Sequence, residues 1–150
     1  MKHEALISIK SKFSTNAGND TVEMSTLGSF TKMKNVYYIT YKDMQESGEE
    51  EVTTTLKVEG NKRVTMTKRG SNKSHLILEQ GQRHLCKYDT GFGDVLVGIF
   101  AERIQSDMSS DGVKLDLKYT LDVNSDLASH NEINITVKEA GAANNVNSSH

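Results

Sequence analysis

A histidine and a cysteine two residues apart are the chain's best prospect for reactive chemistry. His84 and Cys86, with Tyr88 beyond them, fall on one face of a short alternating stretch. Such a pair could ligate a soft metal or draw the thiol toward a reactive thiolate. A closed zinc site needs four ligands of this kind, and the other histidines (His3, His75, His130, His150) show no ligand spacing to the pair. The simpler expectation is a half-buried strand face.

Three other patterns invite a chemical reading. Asp107-Met-Ser-Ser-Asp-Gly112 matches the opening of an EF-hand calcium loop. That loop needs a bidentate glutamate at its twelfth position and helices on both sides. The twelfth residue here is Lys118, and the flanks alternate like strands. Asp122-Val-Asn-Ser-Asp126 lacks the sixth-position glycine and puts Ile133 twelfth. Gly91-Phe-Gly93 lacks the third glycine of a phosphate-binding turn, and no helix follows it. No Gly-x-Ser-x-Gly elbow is present. No catalytic residue, metal or cofactor is therefore expected, and the balance leans away from an enzyme.

What remains is a set of cationic and aromatic residues near apolar strand faces. Arg103 continues the face of Val95, Val97, Ile99 and Ala101, and Tyr38 shares a face with Val36. In a barrel such residues cap or line the lumen, which in small barrels is either filled by side chains or holds one small ligand. Arg69, Arg83 and Arg103 are the candidate anchors for a small amphipathic or anionic ligand, with Tyr38 and Tyr88 as candidate walls. The competing expectation is a polar rim around a packed core.

The elements that must position these residues are strands. Val113, Leu115, Leu117, Tyr119, Leu121 and Val123 alternate with Lys114, Asp116, Lys118, Thr120 and Asp122. That is a strand with one buried and one wet face. Val52–Val58 and Ile133–Val137 repeat the pattern, Ile7 and Ile9 open a first strand, and Val36–Tyr41 is rich in aromatic and β-branched residues. Gly98 inside the apolar run Val95–Ala101 predicts a bulge or bend, and the phase change near Leu27-Gly28 predicts a bulge. Turn signals at Ala17–Asp20, Lys34-Asn35, Ser47-Gly48, Glu59–Asn61, Arg69–Asn72, Gln80-Gly81, Gly91–Gly93, Asp111-Gly112 and Asn124–Asn131 divide the chain into roughly nine or ten strands. The gaps are too short for crossover helices, so neighbours should be antiparallel. The expected architecture is all-β: one closed or nearly closed antiparallel barrel over 1–139, with a polar tail at 140–150. The lack of any proline to blunt sheet edges fits closure.

Composition narrows the partners. Across 150 residues the net charge is −2, without the basic footprint of a phosphate-dependent nucleic-acid binder. Nucleic acid is thus an unlikely partner. No run nears the ~18–20 apolar residues of a helical membrane span. One cysteine allows no internal disulfide, and cytoplasmic location is the default expectation.

The order of several short segments carries a family resemblance across residues 4–139. They are Leu6-Ile-Ser-Ile-Lys10, Tyr38-Ile-Thr-Tyr41, Thr54–Gly60, Arg69-Gly70, Leu76–Gly81 with Arg83-His84, Tyr88-Asp-Thr90 with Gly93, and Tyr119–Asn124. In these the chain resembles a bacterial domain-of-unknown-function family typified by the Bacillus ywiB protein, a lipocalin-like (calycin-type) barrel. It departs from the family where Gly91 replaces a proline before Phe92-Gly93. The resemblance implies a barrel of roughly eight to ten strands and no catalytic residues. By analogy with lipocalin-like barrels it implies a non-enzymatic binder of a small molecule. The alternatives are an interaction or scaffold module with a filled barrel, a weak nucleic-acid binder, or an enzyme of another kind.

Overall fold

The alternating runs become ten strands: β1 (Lys2–Thr15), β2 (Gly18–Met33), β3 (Val36–Met44), β4 (Glu51–Glu59), β5 (Arg63–Arg69), β6 (Ser74–Glu79), β7 (Arg83–Asp89), β8 (Asp94–Ser109), β9 (Gly112–Val123) and β10 (Asp126–Glu139). The computed structural model describes residues 2–44, 51–70, 74–89, 93–109 and 112–139. Each strand pairs antiparallel with the next, and β1 pairs with β10, so the sheet closes into a barrel. Closure removes the open edges that the proline-free sequence has no other means of blunting. Among the described residues there is no helix, hence none long and apolar enough to cross a membrane. The tail at 140–150 and the turn signals at Ser47-Gly48, Ser71-Asn72, Gly91-Phe92 and Asp111 lie outside the described residues.

Side-chain parity builds the core. On β9, Val113, Leu115, Leu117 and Tyr119 are buried, whereas Lys114 and Lys118 are exposed. Leu56 on β4 faces Ile39 on β3 and Met66 on β5, all inside. Burying one such side chain contributes about 1.5–3 kcal/mol. The inward residues of all ten strands merge into one apolar cluster.

The bulges are not where glycine marked them. Gly28 and Gly98 both sit in uninterrupted register. A side chain at Gly28 would strike the Thr40 carbonyl and Ile7 Cδ1, so this glycine admits close packing. The register shifts instead between Ala101 and Arg103, and between Leu127 and Ser129. The last turn is also tighter than expected. Asn124 and Ser125 alone, with φ of 53° and 70°, connect β9 to β10. Positive φ at both central residues suits the right-handed twist of a two-residue hairpin.

Beyond its bulge β8 parts from β7. Its ladder with β7 starts at Asp89↔Asp94 and stops at Arg83↔Phe100, while that with β9 runs to Ser109. Neighbouring turns take over the freed edge. Gly81 N donates to Ala101 O (2.9 Å). Gln80 Nε2 donates to Glu102 O (2.8 Å), and Ile104 N donates to Gln80 Oε1 (2.6 Å). Ser106 N donates to Asn61 Oδ1 (2.8 Å), and the Tyr37 and Ser106 hydroxyls are hydrogen-bonded. One glutamine thus satisfies both backbone groups that the bulge would orphan. Burial pushes the Tyr37 hydroxyl pKa up, partly offset by its Ser106 bond.

Candidate functional site

Four of the five residues marked from sequence, Tyr38, Arg69, Arg83 and Arg103, do not converge on the lumen. Tyr38 lies between the buried Tyr37 and Ile39 on β3, so it points outward, opposite Thr31 and Lys57. Arg69 is exposed at the end of β5, out of phase with the buried Val64 and Met66. Arg83 is exposed at the start of β7. Tyr88 belongs to β7, but its side chain lies outside the described part. Arg103 corrects the sequence reading most directly. The extra residue Glu102 shifts the phase, so Ile104 enters the core and Arg103 turns out beside Lys118, its guanidinium bonded to Gln105.

Arg83 does take part in a built arrangement. Its Nε donates to Asp122 Oδ2 (2.9 Å) and its Nη2 to Asp122 Oδ1 (2.6 Å). Arg83 is on β7 and Asp122 on β9, so the pair spans the intervening strand β8. It can do so because the residue beneath is Gly98. A β-carbon there would fall against Arg83 Nη2 and Nε and Asp122 Oδ2. The bidentate fork is the strong geometry for this pairing. Asp122 also accepts from Ser125 N (3.2 Å) and is only 14% exposed, against 42% for Arg83. The Arg83 hydrogen bond holds the Asp122 carboxyl below the ordinary carboxylate range, and Asp122 raises Arg83 in turn.

Large apolar side chains surround this pair on the outer face. Cross-strand register sets Leu85, Gly98, Asp122 and Leu127 in one row over β7, β8, β9 and β10. Leu96 and Phe100 flank Gly98 along β8. Leu85 is 60% exposed, Leu127 53%, Leu96 50% and Phe100 36%. Leu85, Leu96 and Phe100 neighbour Gly98 and Leu127 neighbours Asp122, so the four share one stretch of the outer face. Asp122 was invisible as a partner because cross-strand register is not written in local sequence. Gly98 in an apolar strand is the available signal; it reads as a bulge or bend in sequence but marks close approach.

Cys86 is buried in the core, and His84 Nε2 is 2.8 Å from Glu79 Oε1. Among the described residues no three His, Cys, Asp or Glu side chains gather to hold a metal. Asp107 and Lys118 belong to the β8–β9 hairpin, so no helices flank the calcium-like stretch. Charges alternate in sign along one row of the β1–β10–β9 face, where Glu132 stands between Lys12 and Lys118, and on the β1–β2 side Lys10 lies 3.6 Å from Glu23. A separate open cleft of about 340 Å³ has Phe13, Tyr119, Lys118, His130 and Glu132 among its lining residues.

Comparison with known proteins bears on fold and family. Residues 7–135 match the family described as Domain of unknown function (DUF1934). The crystal structure of the ywiB protein from Bacillus subtilis is similar with a TM-score of 0.80 at 22% identity, over 93% of each chain. At that identity the likeness establishes the fold alone. Neisserial surface protein A (NspA) aligns over 92% of this chain and 96% of its own at 8% identity, with a TM-score of 0.33, too low to support any argument. No curated protein matches the chain.

Proposed function

The chain belongs to the DUF1934 family, a domain of unknown function, and from that premise we propose that it is a non-enzymatic interaction module that binds through its outer wall. The observation that carries this reading is the apolar cluster of Leu85, Leu96, Phe100 and Leu127 around the Arg83–Asp122 pair. The apolar side chains packed inside the barrel support it by favouring a surface site over the lumen. An arginine already held by two hydrogen bonds loses little freedom when it docks, and arginine with large apolar neighbours is typical of interface centres. The alternating charges on the β1–β10–β9 face argue against a nucleic-acid track. Cytoplasmic residence is part of the proposal, supported by the single unpaired cysteine. The test is affinity capture with matched baits: wild type, Leu85→Asp, Phe100→Asp and the distant Lys32→Glu. The reading requires a partner retained by wild type and Lys32→Glu and lost by the other two. Equal retention by all four baits sinks it.

A second reading keeps the small-molecule binder but moves it from the lumen to the cleft beside Phe13 and Tyr119. Its volume of about 340 Å³ is at the lower end for ligand pockets. Thermal shift against fractionated small molecules tests it. A ligand at about a hundred times its Kd should stabilise the chain by about 2.7 kcal/mol, and Tyr119→Ala should abolish the shift. A shift that persists in Tyr119→Ala rules this cleft out.

A further inference from the structure

We propose that one mouth of the barrel holds a small organic carboxylate, with the Lys68 ammonium as its counterion and the Thr54 and Ser74 hydroxyls as hydrogen-bond donors. This site is separate from the outer wall and from the cleft beside Phe13, so it stands or falls without them.

Cross-strand register puts Tyr41, Thr54, Lys68 and Ser74 side by side over β3, β4, β5 and β6. All four share the inward phase of their strands. Tyr41, Thr54 and Ser74 are buried, and Lys68 is half-buried. The next inward layer is Ile39, Leu56, Met66 and Leu76, every one buried and apolar. Lys68 is the last inward residue of β5 and Ser74 the first of β6. The row therefore rims one end of the barrel, directly above the packed core.

Polar groups held this close to a core ordinarily satisfy one another. Here they do not. Among the described residues the Lys68 ammonium and the Thr54 and Ser74 hydroxyls have no hydrogen-bond or ion-pair partner. No fully buried side-chain nitrogen or oxygen there goes unpaired, so these three groups open onto solvent. Neighbours in such a row stand about 4.5–5.5 Å apart, and inward side chains of a barrel converge. The two oxygens of one carboxylate span the hydroxyls, with the ammonium between them.

The surroundings narrow the ligand. One cation balances one negative charge, which favours a carboxylate over a phosphate dianion. Val52, two residues before Thr54 on the same face of β4, is half-buried, as is Val95, which pairs with Tyr88 next to Ser74. They offer apolar surface to an organic tail, and the filled layer beneath keeps that tail short.

The test labels the lysines of the full chain by reductive methylation with carbon-13 formaldehyde, which preserves their charge. The Lys68 resonance is assigned by its absence from Lys68→Arg. Butyrate or benzoate should shift it saturably and leave Lys32 and Lys114 unmoved. Butyramide, the neutral counterpart, should bind about tenfold more weakly, the usual scale for a charge-assisted hydrogen bond. Ser74→Ala and Thr54→Val should each weaken butyrate several-fold while melting no lower than wild type, because each hydroxyl has no partner to lose. If one of them does not fold, the other carries the test. No saturable shift with either acid, an equal shift at all lysines, or inorganic phosphate binding as tightly as butyrate overturns the proposal. So does butyrate affinity unchanged in both hydroxyl variants, which would mark Lys68 as a solvated rim lysine.

Discussion

Arg83 and Asp122 hold each other across a strand to which neither belongs, with Gly98 of β8 as the floor beneath them. The pair therefore ties β7 to β9 on the outside of the wall while the core packs on the inside. Gly98→Ala should separate the pair, because the added carbon takes the space of the guanidinium and the carboxylate. A double-mutant cycle by thermal melts reads this out. Arg83→Ala and Asp122→Ala should be coupled in the wild type and additive in Gly98→Ala. Coupling that survives in Gly98→Ala contradicts the geometry.

Acid should dissolve the same link. The folded-state pKa of Asp122 lies below its ordinary value, chiefly through the Arg83 hydrogen bond. Its contribution to stability is thus fully present above the ordinary carboxylate range and lost as the pH falls through the folded-state pKa. Asp122→Asn should melt below wild type at neutral pH, and the two should converge at the acid end. Tyr37 behaves in the opposite sense. Its pKa is raised by burial, so its contribution holds below the usual tyrosine range and fades at more alkaline pH. Tyr37→Phe should remove that part of the alkaline loss.

Gln80 is the residue that makes the β8 bulge tolerable. Its side chain answers both Glu102 O and Ile104 N. Leaving a buried polar group unpaired costs about 1–3 kcal/mol. Gln80→Ala should therefore destabilise the barrel by about that amount in denaturant melts, although the residue itself is exposed. A neutral result would show that water replaces the amide at the bulge.

The interior should respond as a packed core. Leu56 and Ile39 are fully buried and face each other across β3 and β4. Truncating either to alanine should cost about 2–5 kcal/mol. A cost well under that range would reveal an interior with room to adjust.

Much of this barrel was legible in the chain. The run Val113–Val123 showed its buried and wet faces residue by residue, and the lack of crossover segments implied antiparallel neighbours. The phase of β8 was misread because alternation from Val95 to Ala101 continues smoothly onto Arg103. The register shift on β9 and the burial of Ile104 show that Glu102 has been looped out. In sequence the phase change at Gly28 reads as a bulge and Gly98 as a bulge or bend, whereas each leaves room for other residues' atoms. Arg83 could be marked, but not its partner. Asp122 is 39 residues away, and only the registers of β7 on β8 and β8 on β9 bring the two together.

Hydroxyl-radical footprinting tests the outer-wall account most directly, because it reads which exposed apolar side chains become covered. The free chain would be compared with the chain carrying its captured partner. The account predicts that Leu85, Leu96, Phe100 and Leu127 lose reactivity together, while the equally accessible Leu6 and Leu27, at 43% and 61% exposure, keep theirs. Unchanged labelling of the first four, or protection of Leu6 and Leu27 instead, would contradict it.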